Sequence, residues 1–148
     1  MKAPKQTNQK TTKPSCLLTT IFYASIANYI LVLSQIFIPT VSELFAGSLL
    51  FLLPFFIFSL LGLTLIFLTV REKMTGRLKK SLILTGVSAF GILACSVLHN
   101  LTYAIGIYFF QKEFEEPVFF LLAVIILPVV FLFAAISSLY LLLKKKKL

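Results

Sequence analysis

Residues 81–111 read SLILTGVSAFGILACSVLHNLTYAIGIYFFQ: 31 positions without an Asp, Glu, Lys or Arg. A helix needs about 20 apolar residues to cross the hydrocarbon core of a bilayer. The stretch is long enough, and it is not alone. Working outward, uncharged runs also occupy 14–42, 44–70 and 117–143, of 29, 27 and 27 residues. The chain has 148 residues, is 59% hydrophobic and only 13% charged, and its mean hydropathy is +0.99. Soluble domains are about 45–50% apolar and about a quarter charged. This pattern predicts an all-α fold: a four-helix transmembrane bundle made of two antiparallel helical hairpins, with almost no mass outside the membrane. It excludes a soluble enzyme, a nucleic-acid-binding domain and a disordered tail protein.

The net charge of +9 is unevenly placed. Lys2, Lys5, Lys10 and Lys13 precede the first run. Arg71, Lys73, Arg77, Lys79 and Lys80 cluster with Glu72 between the second and third. Lys144 to Lys147 follow the fourth. The other two connections hold Glu43, and Lys112 with Glu113, Glu115 and Glu116. One side of the bundle therefore carries +12 and the other −3. Basic loops stay in the cytoplasm, so both termini and the 71–80 loop are expected inside a cell (cytoplasmic) membrane. Arg71, Lys73, Arg77, Lys79 and Lys80 are candidate contacts for anionic lipid headgroups, each worth about 1 kcal/mol near the surface. Topology alone also accounts for them.

Residues 1–15, rich in Lys, Thr and Gln, read as a disordered basic cytoplasmic arm. Residues 16–143 read as a single four-span membrane domain and 144–148 as a basic cytoplasmic tail. The positive start and long apolar run do not fit a cleavable signal peptide. The end Lys145-Lys146-Lys147-Leu148 matches a dilysine retrieval tail, though a basic stop after a last span is the commoner explanation. Spans are expected over 16–38, 44–70, 79–110 and 118–143. Pro39 ends the first and Pro117 opens the fourth. Pro54 and Pro128 are expected as internal kinks, each about a third of the way in from the acidic side, a faint internal repeat. Tyr23, Tyr29, Tyr103, Tyr108 and Tyr140 are the tyrosine candidates for an interfacial belt, since there is no Trp. Cys16 and Cys95 lie at different depths and predict no disulfide.

The third span has a two-sided pattern. At 100° per residue, one half of the wheel collects Thr85, Ser88, Ala89, Gly91, Cys95, Ser96, His99, Asn100, Thr102, Tyr103 and Gly106. The other collects Ile83, Val87, Phe90, Leu93, Val97, Leu98, Leu101 and Ile105. Leu84 and Ile92 stray onto the first side; Gly86, Ala94 and Ala104 stray onto the second. Helices in lipid associate through small residues and interhelical hydrogen bonds, so the small-polar half should face the other spans. Ser88, Gly91 and Cys95 are candidate packing positions there, as are Ala134 and Ser138 in the fourth span.

In the first span Asn28 and Gln35 lie seven residues apart, hence on one face. Counted at 1.5 Å per residue, they stand about 18 and 28 Å above the basic edge, and His99 about 25 Å. A polar cluster of Asn28, Gln35, His99, Asn100 and Tyr103 is therefore expected in the outer half of the bundle. It reads either as an ion, proton or small-ligand site or as a neutral histidine acting as packing glue. One histidine makes a poor zinc site, so no metal is expected. Asn100-Leu101-Thr102 matches a glycosylation sequon, but inside a span. No acidic residue lies within a span, and there is no phosphate-binding Gly loop and no Ser/His/Asp set. No enzyme activity and no cofactor are expected.

Residues 71–100, REKMTGRLKKSLILTGVSAFGILACSVLHN, resemble a group of small four-span prokaryotic membrane proteins of unknown function. The likeness rests on the basic Gly-containing loop 76–80, the Thr-Gly-x-Ser-Ala segment 85–89 and Leu98-His99-Asn100. It covers about a fifth of the chain. It implies a bacterial or archaeal cytoplasmic membrane and carries no activity.

The expected function is a non-enzymatic accessory factor or subunit acting through helix–helix contacts. Its partners would be the lipid bilayer and a membrane protein or a second copy of the chain, with no nucleic acid. The alternatives are a small oligomeric transporter or channel using the polar cluster around His99, and a pore-forming lysis-type protein.

Overall fold

Ser15 begins the first helix. Its hydroxyl accepts from the Leu18 amide at 3.1 Å, satisfying one of the N–H groups that a first turn leaves free. The computed structural model describes residues 14–40, 43, 49–112 and 116–146. Within them α1 runs Cys16–Phe37, α2 Leu53–Arg71, α3 Gly76–Ile105, α4 Pro117–Leu121 and α5 Leu127–Lys146. A π-helical turn, Gly106–Phe110, prolongs α3; a second, Leu122–Ile126, joins α4 to α5 into one fourth span. No strand occurs among the described residues. Four helices are long and apolar enough to cross a membrane. The chain is a multi-pass integral membrane protein with an all-α, four-helix bundle fold.

Buried residues of α1 are Leu18, Phe22, Ser25, Tyr29, Val32 and Gln35. Steps of three and four keep one stripe of a 3.6-residue helix turned to its neighbour. That neighbour is α2. In turn α2 packs on α3, and α3 on α5. The helices form an arc with α1 and α5 at its ends, and α3 lies between α2 and α5. The inner half of α3 supplies Leu78, Ser81, Leu82, Thr85, Gly86, Ser88, Ala89 and Ile92 to the core. Val87, Phe90, Val97, Leu98 and Leu101 point outward.

The closest approach is between α2 and α3. A Cβ added to Gly62 would stand 2.7 Å from the Gly86 carbonyl oxygen; one added to Gly86 would stand 2.7 Å from the Gly62 oxygen. Gly86, which the wheel put among strays on the aliphatic side, is therefore buried at a backbone crossing. In lipid, large aliphatic residues and lipid tails are equally apolar, so missing bulk marks an interface better than polarity does.

The basic turn is shorter than the 71–80 loop read from sequence. Only Glu72–Thr75 lies between α2 and α3, so Arg77, Lys79 and Lys80 belong to the start of α3. α2 ends with Lys73 in the left-handed region at φ 51°. Its amide donates to the Val70 carbonyl and that of Met74 to the Thr69 carbonyl, a Schellman closure. Met74, 1% exposed, folds under the turn. Residues 1–13 of the basic arm lie outside the described residues, as do 147 and 148 of the tail. Ser15, assigned to the arm by composition, belongs to the helix as its cap.

The two prolines behave differently. Pro54 sits in the first turn of α2 rather than inside a span, where its missing N–H removes no helical bond. Pro128 is internal to the fourth span, one residue after the π-helical segment closes through the Leu127 amide to Leu122. A widened turn is one way a membrane helix absorbs the hydrogen bond a proline cannot make.

Glu72 is the acid of the basic side. Its carboxylate accepts from the Ser15 amide at 3.0 Å and from the Ser15 hydroxyl. A negative group thus stands at the positive end of α1 and ties the start of the first span to the end of the second. Glu72→Ala and Ser15→Ala should each lower stability by about 1 kcal/mol. The double variant should cost less than the sum, because both substitutions remove one unit. Thermal unfolding in detergent checks this; full additivity would show that the pair does not act together.

Candidate functional site

Two adjacent residues of α1 reach two other spans. The Asn28 amide donates to the Pro54 carbonyl at 2.8 Å. The Tyr29 hydroxyl donates to the Pro128 carbonyl at 3.1 Å. The first turn of α2 and the proline of the fourth span are both held from the same level of α1. Around the second bond the rings of Tyr29, Phe58 and Phe131 meet, with centroids 4.5 to 5.7 Å apart, in the range of favourable aromatic pairs. Tyr29 was expected in an interfacial belt; it is 7% exposed in the middle of the bundle. The seam 18, 22, 25, 29, 32 was the available signal, since belt residues need not keep register with a core stripe.

Lower down, Ser81 donates to the Ala134 carbonyl at 2.9 Å, and Ser138 donates to the Ser81 hydroxyl at 2.8 Å. All three residues are buried. Ala134 and Ser138, expected as packing residues, thus pack on α3 inside this chain. Ser88 is buried and back-bonds to the Leu84 and Thr85 carbonyls of its own helix. Gly91 and Cys95 are partly buried, and Gly91 approaches the Leu127 side chain.

The outer cluster of Asn28, Gln35, His99, Asn100 and Tyr103 does not assemble. His99 is partly buried, and its Nδ1 lies 2.9 Å from the Glu116 carbonyl oxygen, with its ring 5.6 Å from Phe120. It meets the entry of the fourth span and not span 1, the partner expected for it. Asn100 is exposed and donates to Ser96 on its own helix. Tyr103 is exposed. Gln35 is 1% exposed, and neither atom of its amide has a hydrogen-bond partner among the described residues. Counting residues placed these groups at compatible depths, but among the described residues the helix that α1 packs on most is α2. Of the acids expected above the cluster, Glu43 is exposed, and Glu116 caps α4 by accepting from the Phe119 amide at 3.0 Å. Glu113 and Glu115 lie outside the described residues.

A carbonyl can only accept, so His99 Nδ1 is the donor of this bond. The bond orients the ring and joins α3 to α4 at the acidic end. Among the described residues no three His, Cys, Asp or Glu side chains gather as a metal site. Cys16 and Cys95 are free thiols. Arg71, Lys73, Arg77 and Lys80 are exposed and Lys79 partly buried around the α2–α3 turn.

His99→Leu should insert and fold, losing about 1 kcal/mol or less, the scale of one interhelical hydrogen bond in lipid. Chemical unfolding in mixed micelles measures it. A loss several times larger would mean that the histidine organises the whole outer end.

Comparison with protein-family models, curated proteins and solved structures finds no match to this chain.

Proposed function

We propose that this chain is a non-enzymatic protein of the cytoplasmic membrane, both termini inside, that serves as an accessory factor or subunit through helix–helix contacts. The observation that carries this is what four of its inward polar groups bind. Asn28, Tyr29, Ser81 and Ser138 each close on a carbonyl or hydroxyl of another span. They hold helices together rather than line a shared path. The orientation follows from the +12 and −3 sides and the positive-inside rule. The resemblance of 71–100 to small prokaryotic four-span proteins supports the same membrane.

Reporter fusions at Thr75, Glu115 and Leu148 test the orientation: 75 and 148 should report inside and 115 outside. Agreement between 75 and 115 overturns it. Gentle solubilisation without crosslinking tests the role. Stable co-purification with a larger membrane protein, or with a second copy, is the expected result. A second reading, a small oligomeric transporter or channel, is favoured by the Nε2 of His99 near the acidic end, which has no hydrogen-bond partner among the described residues. Solute or ion flux by the pure protein in liposomes, lost in His99→Leu, would replace the first reading with that one.

A further inference from the structure

α1 and α5 stand at the two ends of the arc and do not pack along their length. Beside the Tyr29 contact a groove of about 230 Å³ opens between them, with Tyr29 and Phe131 in its lining, Ile26, Ile30 and Leu33 on one wall and Leu132, Ile136 and Leu139 on the other. Its walls run from residue 26 to 33 and from 131 to 139, about 10 and 12 Å of helix. The groove is apolar, is open at its side and lies inside the membrane-spanning part of the bundle.

We propose that this groove holds one acyl chain of an anionic phospholipid whose headgroup rests on the basic rim. Three observations select that occupant. The walls are bulky apolar residues, aliphatic apart from the rings of Tyr29 and Phe131, with Ala135 the small one, whereas helices dock in lipid through stripes of small residues. The small pair of α5, Ala134 and Ser138, is already used against α3. The size agrees: a helix is about 10 Å across with side chains, so a 10 Å length of one fills roughly 800 Å³, several times this space, and a flexible hydrocarbon chain is the narrower guest. The charge also agrees. Leu139 at the lower end of the groove stands five residues, about 8 Å, above the exposed Lys144. Because Ser138 and Ser81 are bonded, the start of α3 with Lys80 and Arg77 ends at the same level. These cations stand at the level that the phosphate of a chain in the groove would reach. The inference holds whichever side of the membrane is basic, and it is independent of the accessory role proposed above.

The test uses the full-length protein in detergent with equal amounts of dioleoyl phosphatidylglycerol and dioleoyl phosphatidylcholine, read by native mass spectrometry. One phosphatidylglycerol should be retained in preference to phosphatidylcholine by about fivefold or more, the effect of one or more lysines near a charged headgroup. Replacing Lys144 to Lys147 by Gln should remove that preference. Ala135→Phe, which fills the groove, should remove retention of either lipid. A second measurement needs no variant. Phosphatidylglycerol bearing a photoreactive diazirine in mid-chain should label residues 26–33 and 131–139 of the wild-type protein. Equal retention of both lipids overturns the proposal. So does label spread as strongly over the outward residues Leu60, Leu63 and Phe67 of α2, or a wild-type dimer that Ala135→Phe dissolves, which would make a second copy the occupant.

Discussion

Gly62→Ala is expected to lower stability by about 2 kcal/mol, a large loss for one methyl group. A Cβ at this position meets the Gly86 oxygen at 2.7 Å, the Ala89 Cβ at 2.9 Å and the Phe90 nitrogen at 3.0 Å. Two of these atoms are backbone and the third is fixed to it, so no side chain can swing aside. Overpacking costs about 1–3 kcal/mol when the surroundings cannot yield, and here the helices themselves must separate. The higher helix propensity of Ala returns about 1 kcal/mol at most, which leaves the clash in control. Gly62→Leu should abolish the folded bundle. Gly86→Ala should resemble Gly62→Ala, since its Cβ meets the Gly62 oxygen at 2.7 Å. Gly91→Ala is the control: its near neighbours are the methyls of Leu127, which can rotate, so the change should be small. Unfolding of purified variants in mixed micelles decides this. Equal losses at 62 and 91 would show that the α2–α3 crossing is not the tight one.

Phe131→Ala should cost about 3 kcal/mol, the scale of a large aromatic removed from a packed site. Phe131 is 1% exposed, with its ring 4.5 Å from that of Tyr29 and 4.9 Å from that of Phe58. Its loss opens a cavity where α1, α2 and α5 meet. Tyr29→Phe keeps the ring and removes only the bond to the Pro128 carbonyl, so its cost should be near 0.6 kcal/mol. The contrast separates packing from hydrogen bonding as the force that joins α1 to the fourth span. A Phe58→Leu, Phe131→Leu double-mutant cycle should show coupling of about 0.5–1.5 kcal/mol. If Tyr29→Phe proves as costly as Phe131→Ala, the hydrogen bond and not the ring cluster is what closes the arc.

Much of the local structure was legible residue by residue. The outward set Val87, Phe90, Val97, Leu98 and Leu101 and the buried set Thr85, Ser88 and Ala89 follow the wheel. Pro117 opens its helix as a proline should. The candidate site was less legible. His99, Asn28 and Gln35 were read at comparable depths, yet they face different neighbours. Asn28 finds Pro54, His99 finds Glu116, and Gln35 has no partner among the described residues. Ser81 and Glu72 gave little warning, since a serine beside a lysine and an acid in a basic turn look like ordinary boundary residues.

What the sequence determined by itself is the number of spans and the all-α class. Both follow from one-dimensional facts: a bilayer of fixed thickness, runs of 27 to 31 uncharged residues, and backbone groups that must bond internally in lipid. What only the tertiary structure decided is which face meets which helix. In water a helix shows its buried side by its hydrophobic stripe; in lipid both sides are apolar, so the pattern constrains a face without naming its neighbour. The neighbour is chosen by close contact between residues far apart in the chain. Gly62 meets Gly86 and Ser81 meets Ser138, which sets the arc of helices, and Tyr29 meets Pro128, which bridges its two ends beside the groove between α1 and α5.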